Sequence, residues 1–137
     1  MCGITGFFSR SGVTGSAPLL EGACESLHHR GPDGGGAWVS PDGRVGLAMR
    51  RLAIIDVAGG RQPIFNEDGT VGIVFNGEIY NFEVLRKELE AKGTGLKTHS
   101  DTETIVHLYE EEGVECVRRL RGCSAFPCGT RNASGCF

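Results

Sequence analysis

The apolar positions of this chain fall in short runs separated by glycine-rich turns, the pattern of brief strands interleaved with a few helices. Gly3–Phe8 is a compact apolar run and predicts a buried strand that begins beside Cys2. Residues 9–16 are rich in Ser and Gly and predict a loop. From Ala17 to His28, Leu19, Leu20, Ala23 and Leu27 recur at helical spacing behind Pro18, which suits a first helical turn, so an amphipathic helix is predicted. His28–Gly36 predicts a loop, because Pro32 and a glycine cluster break a helix.

Further along, Ala37–Val39 and Val45–Ala48 flank Pro41-Asp42-Gly43 and predict a hairpin, followed by a strand over Arg50–Asp56 with Arg50 and Arg51 at its head. Gln62-Pro63 falls in a loop, and Asn66-Glu67-Asp68-Gly69 turns into a strand over Val71–Phe75. Asn76-Gly77 between apolar runs is the strongest short-range hairpin signal, so a turn is predicted there before Glu78-Ile79-Tyr80. Asn81 predicts the N-cap of a helix that carries Phe82, Leu85 and Leu89 on one face and stops near Gly93. Ser100 and Glu103 have the spacing of a capping box, opening a helix through Ile105, Leu108 and Tyr109 to Gly113.

Composition narrows the function classes. The 137 residues suffice for one domain with a real core. Fourteen basic and 17 acidic residues give a net charge of −3 with no basic run, which argues against a nucleic-acid partner. No apolar run has the length of a membrane span, and no signal-peptide pattern precedes residue 20, so no membrane partner and a cytoplasmic location are expected. Cys2, Cys24, Cys116, Cys123, Cys128 and Cys136 show neither CxxC nor metal-ligand spacing, so no metal site is expected and thiols are expected in a reducing compartment.

Candidate chemistry begins at Cys2. Once Met1 is removed, this residue carries a thiol nucleophile and a free α-amine. Such an amine has a pKa near about 8, against about 10.4 for lysine, so one residue can supply nucleophile and base. The alternative is a small buried cysteine with no reactivity. Arg51 offers a planar fork for a substrate carboxylate, or else is a solvated edge-strand charge. The Asn76 amide and the Gly77 N–H supply two donors of the kind an oxyanion requires, which is compatible with a turn at the same place. Asp101 in a first helical turn either complements the helix dipole or faces a substrate ammonium.

Six motifs occur here in one order: Cys2-Gly3-Ile4, His29-Arg30-Gly31-Pro32-Asp33, Arg51-Leu52-Ala53-Ile54-Ile55-Asp56, Gln62-Pro63, Asn76-Gly77-Glu78-Ile79-Tyr80-Asn81 and Ser100-Asp101-Thr102-Glu103. Together they resemble the N-terminal glutaminase domain of asparagine synthetase, a class II glutamine amidotransferase of the N-terminal-nucleophile family. Asparagine-synthetase-like amidotransferases of exopolysaccharide clusters are similar as well. The resemblance implies an α+β fold, a four-layer α/β/β/α sandwich of two antiparallel sheets. It implies that Cys2 attacks the glutamine carboxamide, that Asn76 and Gly77 hold the oxyanion, and that Arg51 clamps the α-carboxylate. Glu78 and Asp101 are then expected at the α-ammonium, with main-chain groups of Leu52, Ile54 and Ile55 lining the pocket. No cofactor is expected in this segment; ATP and magnesium belong to a C-terminal synthetase domain that activates aspartate and uses the ammonia. That domain is the expected partner besides glutamine, with a homodimer in the full-length product.

Two departures from the family pattern accompany the resemblance. Met49 stands where relatives usually carry histidine. After Gly122 the family's Met-Phe-Ala-Phe-Ala-Leu strand is replaced by Cys-Ser-Ala-Phe-Pro-Cys. The expectation is therefore an incomplete amidotransferase domain over 2–122 and an aberrant, frameshifted tail over 123–137. For one choice of synonymous codons, Cys128–Phe137 read one base earlier spells Leu-Trp-Asp-Ala-Lys-Arg-Gln-Arg-Leu-Phe, the kind of strand, turn and strand the resemblance implies there. Two strands are then expected to be missing and a sheet edge left bare, so that the chain folds poorly by itself. A non-catalytic glutamine-binding module and an inactive fragment remain as alternatives.

Overall fold

A computed structural model describes residues 2–52 and 61–130. The first sheet has three strands, β1 (Gly3–Phe8), β2 (Gly34–Val39) and β3 (Val45–Arg51), in the order β1-β3-β2, all antiparallel. Helix α1 (Ser16–Glu25) covers one face of it. Side chains alternate across β3. Ala48 packs toward α1 with Leu20 and Cys24, while Val45, Leu47 and Met49 point the other way and meet Val74. The central strand is buried on both faces, which is why its sequence reads as an unbroken apolar run.

The second layer is a long antiparallel ribbon. β5 (Val71–Ile73) pairs with β8 (Cys128–Thr130), and β6 (Asn76–Ile79) pairs with β7 (Gly122–Ala125). Both halves share one register, Val71 opposite Thr130 through Ile79 opposite Gly122, so the ribbon runs on without a slip. Its ladder is interrupted at Val74 and Phe75, opposite Pro127 and Phe126; Pro127 has no N–H to give, although Val74 N–H still donates to Pro127 O at 3.4 Å. β4 (Ile64–Phe65) flanks β5 on the other side. The Trp38 ring meets Phe65 edge-on with centroids 5.3 Å apart, bridging the two layers.

Helices α2 (Phe82–Ala91) and α3 (Asp101–Glu112) close the far side. Ile73, Phe75, Ile79, Leu85, Leu89, Ile105 and Leu108 form one core cluster there. The layer order is therefore α/β/β/α, as the resemblance implies, with the nucleophile candidate at the start of one sheet and Asn76-Gly77 in the other.

Several local expectations are corrected by tertiary contacts. Asn76-Gly77 is not a hairpin turn: it lies inside β6, because the 122–130 segment pairs with this strand and outcompetes a local reversal. The segment after Arg121 is not without regular structure: Gly122–Ala125 and Cys128–Thr130 form strands β7 and β8. Gly34–Gly36 belongs to β2 rather than to a loop. A Cβ on Gly36 would stand 2.0 Å from Gln62 O, so glycine is what lets the 62–63 segment approach the strand. Helix α1 ends at Glu25, before the expected His28, and buries Ser16, Leu20 and Cys24 while Leu19 faces solvent. Arg50 and Arg51 end the central strand, not an edge strand. Asn81 occupies the N-cap position of α2, yet its side chain bonds Arg119 O and Arg121 N instead of the helix. Ser100 does cap α3 through Thr102 N–H, whereas Glu103 turns to the N–H groups of Lys97 and Thr98, so only half of the capping box forms. A 3₁₀ helix, Gly113–Arg119, links α3 to β7 and has no counterpart in the sequence expectations.

Candidate functional site

The start of β1, the end of β3, the start of β6 and the first turn of α3 converge on one cavity of about 260 Å³. Among its lining residues are Cys2, Arg51, Leu52, Asn76, Gly77, Glu78 and Asp101. Every sequence-predicted site residue within the described part of the chain thus reaches a single space. Ile54 and Ile55 lie outside the described residues, as does the strand expected over Arg50–Asp56 beyond Leu52. Neither His28 nor His29 lines the cavity.

Cys2 is half-buried at the mouth of β1. Its Sγ accepts the Leu52 N–H at 3.3 Å and sits 3.6 Å from Leu52 O. The guanidinium of Arg30 donates from Nε to Cys2 O at 3.2 Å, tying the nucleophile's backbone to the loop before β2. Antiparallel pairing of Gly3 with Arg50 sets Cys2 beside the end of β3, where Arg51 projects on the same face as buried Met49. Met49 itself is fully buried among Val45, Leu47 and Val74, an apolar packing site. Arg50 faces the opposite side, bonding Gly31 O and pairing with Glu25.

Opposite Cys2, β6 presents Asn76, Gly77 and Glu78 in extended backbone. A Cβ on Gly77 would stand 2.4 Å from Cys123 O and 2.5 Å from Ser124 Cα, so the close approach of β7 is what demands glycine here. Asp101 is 5% exposed at the first position of α3, where the helix N-terminus favours a carboxylate. Its Oδ2 accepts the Ile79 N–H at 3.0 Å, joining α3 to the end of β6.

Sequence reasoning missed the polar groups that hold these residues. Gln62 lines the cavity, accepts Phe75 N–H on Oε1 at 2.6 Å and reaches Thr102 Oγ1 from Nε2 at 3.4 Å. Gln62-Pro63 and Asp101-Thr102 are visible as motifs, but nothing in their spacing says that they touch. Cys123 and Tyr80 also line the cavity. Cys24 and Cys116 do not; burial pushes both thiols up, Cys116 to about 11, and leaves them unreactive near neutrality. Away from the cavity, Glu67, His107 and Glu110 bring their ligand atoms within 4.8 Å of one another. There His107 Nδ1 and Glu110 Oε2 are hydrogen-bonded at 2.7 Å, and Asn66 donates to the same carboxylate.

The chain is similar to known proteins over nearly its full length. The family model described as glutamine amidotransferase domain matches residues 1–134. Asparagine synthetase [glutamine-hydrolyzing] 1 of Bacillus subtilis (strain 168) is 43% identical over 135 residues, 96% of this chain and 21% of that protein. Asparagine synthetase [glutamine-hydrolyzing] 1 of Arabidopsis thaliana is 52% identical over 100 residues, 73% of this chain and 16% of that protein. Among solved structures, glutamine phosphoribosylpyrophosphate (PRPP) amidotransferase from B. subtilis, complexed with ADP and GMP, superposes with a TM-score of 0.69 at 21% identity, covering 95% of this chain and 35% of that one. The structure of the allosteric regulatory enzyme of purine biosynthesis gives 0.75 at 22% identity, covering 96% and 36%. The chain spans about a fifth of the length of the synthetases it matches.

Proposed function

The chain belongs to the glutamine amidotransferase domain family, and from that premise we propose that it hydrolyses glutamine to glutamate and ammonia with Cys2 as nucleophile. The observation that carries this is the convergence of Cys2, Arg51, Asn76, Gly77, Glu78 and Asp101 on one cavity from four separate elements.

In this reading the substrate's α-carboxylate meets the Arg51 guanidinium and its α-ammonium meets Glu78 and Asp101, with the main chain after Arg51 along its flank. These contacts fix the side-chain carboxamide above Sγ and convert attack into a unimolecular step. With Met1 removed, the α-amine of Cys2 takes the thiol proton as Sγ bonds to the carboxamide carbon. The oxygen that gains charge is held by the Asn76 amide and the Gly77 N–H. Collapse of the tetrahedral adduct breaks the C–N bond; the amine returns the proton to the leaving nitrogen, and ammonia departs. Water then attacks the γ-glutamyl thioester, gives glutamate and restores the thiol. The ammonia serves a synthetase domain in a longer product, where ATP and magnesium activate aspartate for asparagine formation.

The test is glutamate release from glutamine by the chain with its N-terminus checked by mass. Turnover that is abolished in Cys2→Ala supports the reaction. Glutamine binding without any hydrolysis, in protein whose Met1 has been removed, assigns a binding module instead.

A further inference from the structure

Asn76, Gly77 and Glu78 sit on a strand whose two ends are tied by one continuous polar chain, and that chain has a direction. Phe75 lies in the gap between β5 and β6, opposite Phe126 beside Pro127, where the ribbon's ladder is interrupted. Its N–H is given to Gln62 Oε1 at 2.6 Å. Because an N–H can only donate, Gln62 must turn its carbonyl oxygen to Phe75 and its NH₂ to Thr102. Thr102 Oγ1 then accepts from Gln62 at 3.4 Å and spends its own hydrogen on Asp101 Oδ1 at 3.3 Å. Asp101 Oδ2 finally accepts Ile79 N–H at 3.0 Å. The relay leaves β6 at the residue before Asn76 and returns to it at the residue after Glu78.

We propose that Gln62 and Thr102 are positioning residues for this site, a hydrogen-bonded bracket that sets the height of Asn76-Gly77 over Cys2 and orients the Asp101 carboxylate. The proposal rests on the glutaminase reading above and adds to it two residues that need not touch the reacting atoms. Three features support it. Thr102 is 1% exposed and its bond to Asp101 is buried, while Gln62 is half-buried at the cavity wall, so the α3 end of the relay is sheltered from competing water. Each member has its donors and acceptors used in one sense only, so a change of polarity at any point reverses or breaks the chain. The bracket spans β4's entry segment, β6 and α3, three elements that otherwise meet the cavity independently.

The experiment compares four variants of the full chain: Gln62→Leu, Gln62→Glu, Thr102→Val and Thr102→Ser. Glutamine hydrolysis is followed together with the rate of Cys2 alkylation by iodoacetamide, which needs an accessible thiol but neither the oxyanion donors nor Asp101. Gln62→Leu and Thr102→Val are expected to lower kcat/KM by about 10²-fold, the scale of a misplaced catalytic group, with the alkylation rate unchanged. Gln62→Glu keeps the acceptor for Phe75 but faces Thr102 with a second acceptor, and is expected to lose activity as well. Thr102→Ser, which keeps the hydroxyl, should recover most of it. Wild-type kcat/KM in Thr102→Val, or an equal loss in Thr102→Ser, overturns the bracket. A parallel fall of alkylation and hydrolysis in Gln62→Leu and Thr102→Val also overturns it, since the loss then lies at the Cys2 thiol and not at the strand that carries Asn76-Gly77 or at Asp101. A wild-type chain that releases no glutamate overturns the hydrolysis itself, an outcome distinct from any pattern among the variants.

Discussion

Leu52 gives its backbone N–H to the sulfur of Cys2 at 3.3 Å, although fifty residues separate the two in sequence. The contact arises because β1 and β3 pair antiparallel with Gly3 opposite Arg50, so that the chain leaving β3 passes over the residue entering β1. A main-chain donor aimed at sulfur steadies it as its proton leaves for the α-amine, before the bond to carbon forms. It also makes the identity of residue 52 secondary to its backbone.

Leu52→Ala is accordingly expected to keep hydrolysis near the wild-type rate, whereas Leu52→Pro, which removes the N–H, should lower kcat by about tenfold or more, the worth of one hydrogen bond to a charged group. Steady-state kinetics on the two variants, with circular dichroism to show retained secondary structure, checks the contrast.

Gly77→Ala tests the close approach of β7. The added methyl would meet Cys123 O at 2.4 Å, so the two strands must separate at the oxyanion candidate. The expected cost is about 1–3 kcal/mol of stability, with a larger fall in kcat than in substrate affinity. Urea titration and kinetics read the two effects separately.

Residues 123–137 are expected to be indispensable as they stand. They carry β8 and most of β7, and Phe126 packs against Phe75 with ring centroids 6.0 Å apart. A chain stopped after Gly122 leaves β5 with β4 alone and β6 without its partner strand, and a domain's whole reserve is only about 5–15 kcal/mol. Loss of a cooperative urea transition is the expected result; a sharp transition at the full-length midpoint would contradict it.

Alkaline pH should destabilise the fold through buried thiols. Cys116 is fully buried and titrates at about 11, against 9.0 for an ordinary thiol, chiefly because burial disfavours the thiolate, with Glu112 adding to it. Between these values the unfolded chain has released a proton that the folded chain still holds. The stabilisation is therefore complete below about pH 9 and is lost as pH rises toward 11, by about 2–3 kcal/mol for this group. Cys24 shifts in the same direction. Urea midpoints at pH 8 and pH 11 should differ more in the wild type than in Cys116→Ser.

Taken by itself, the sequence determined which residue types were available and where the regular elements begin. The strand at Gly3–Phe8 and the helices opening at Phe82 and Asp101 are local matters of apolar period and capping, and they form where the pattern puts them. The candidate site residues inside the described chain were legible through the order of the motifs and their resemblance to a family, since each residue taken alone leaves a structural reading open, and they line one cavity. Only the tertiary structure decided how they are held. Asn76-Gly77 carries the local signal of a turn, yet pairing with a strand almost fifty residues away made it extended, since a ladder of many bonds outweighs one turn preference. Asn81 and Glu103 sit at capping positions, but Asn81 spends its side chain on the distant Arg119 backbone and Glu103 on the N–H groups of Lys97 and Thr98. Gln62 and Thr102 meet forty residues apart, a contact that no periodicity records because it depends on how β4 and α3 stack on the ribbon.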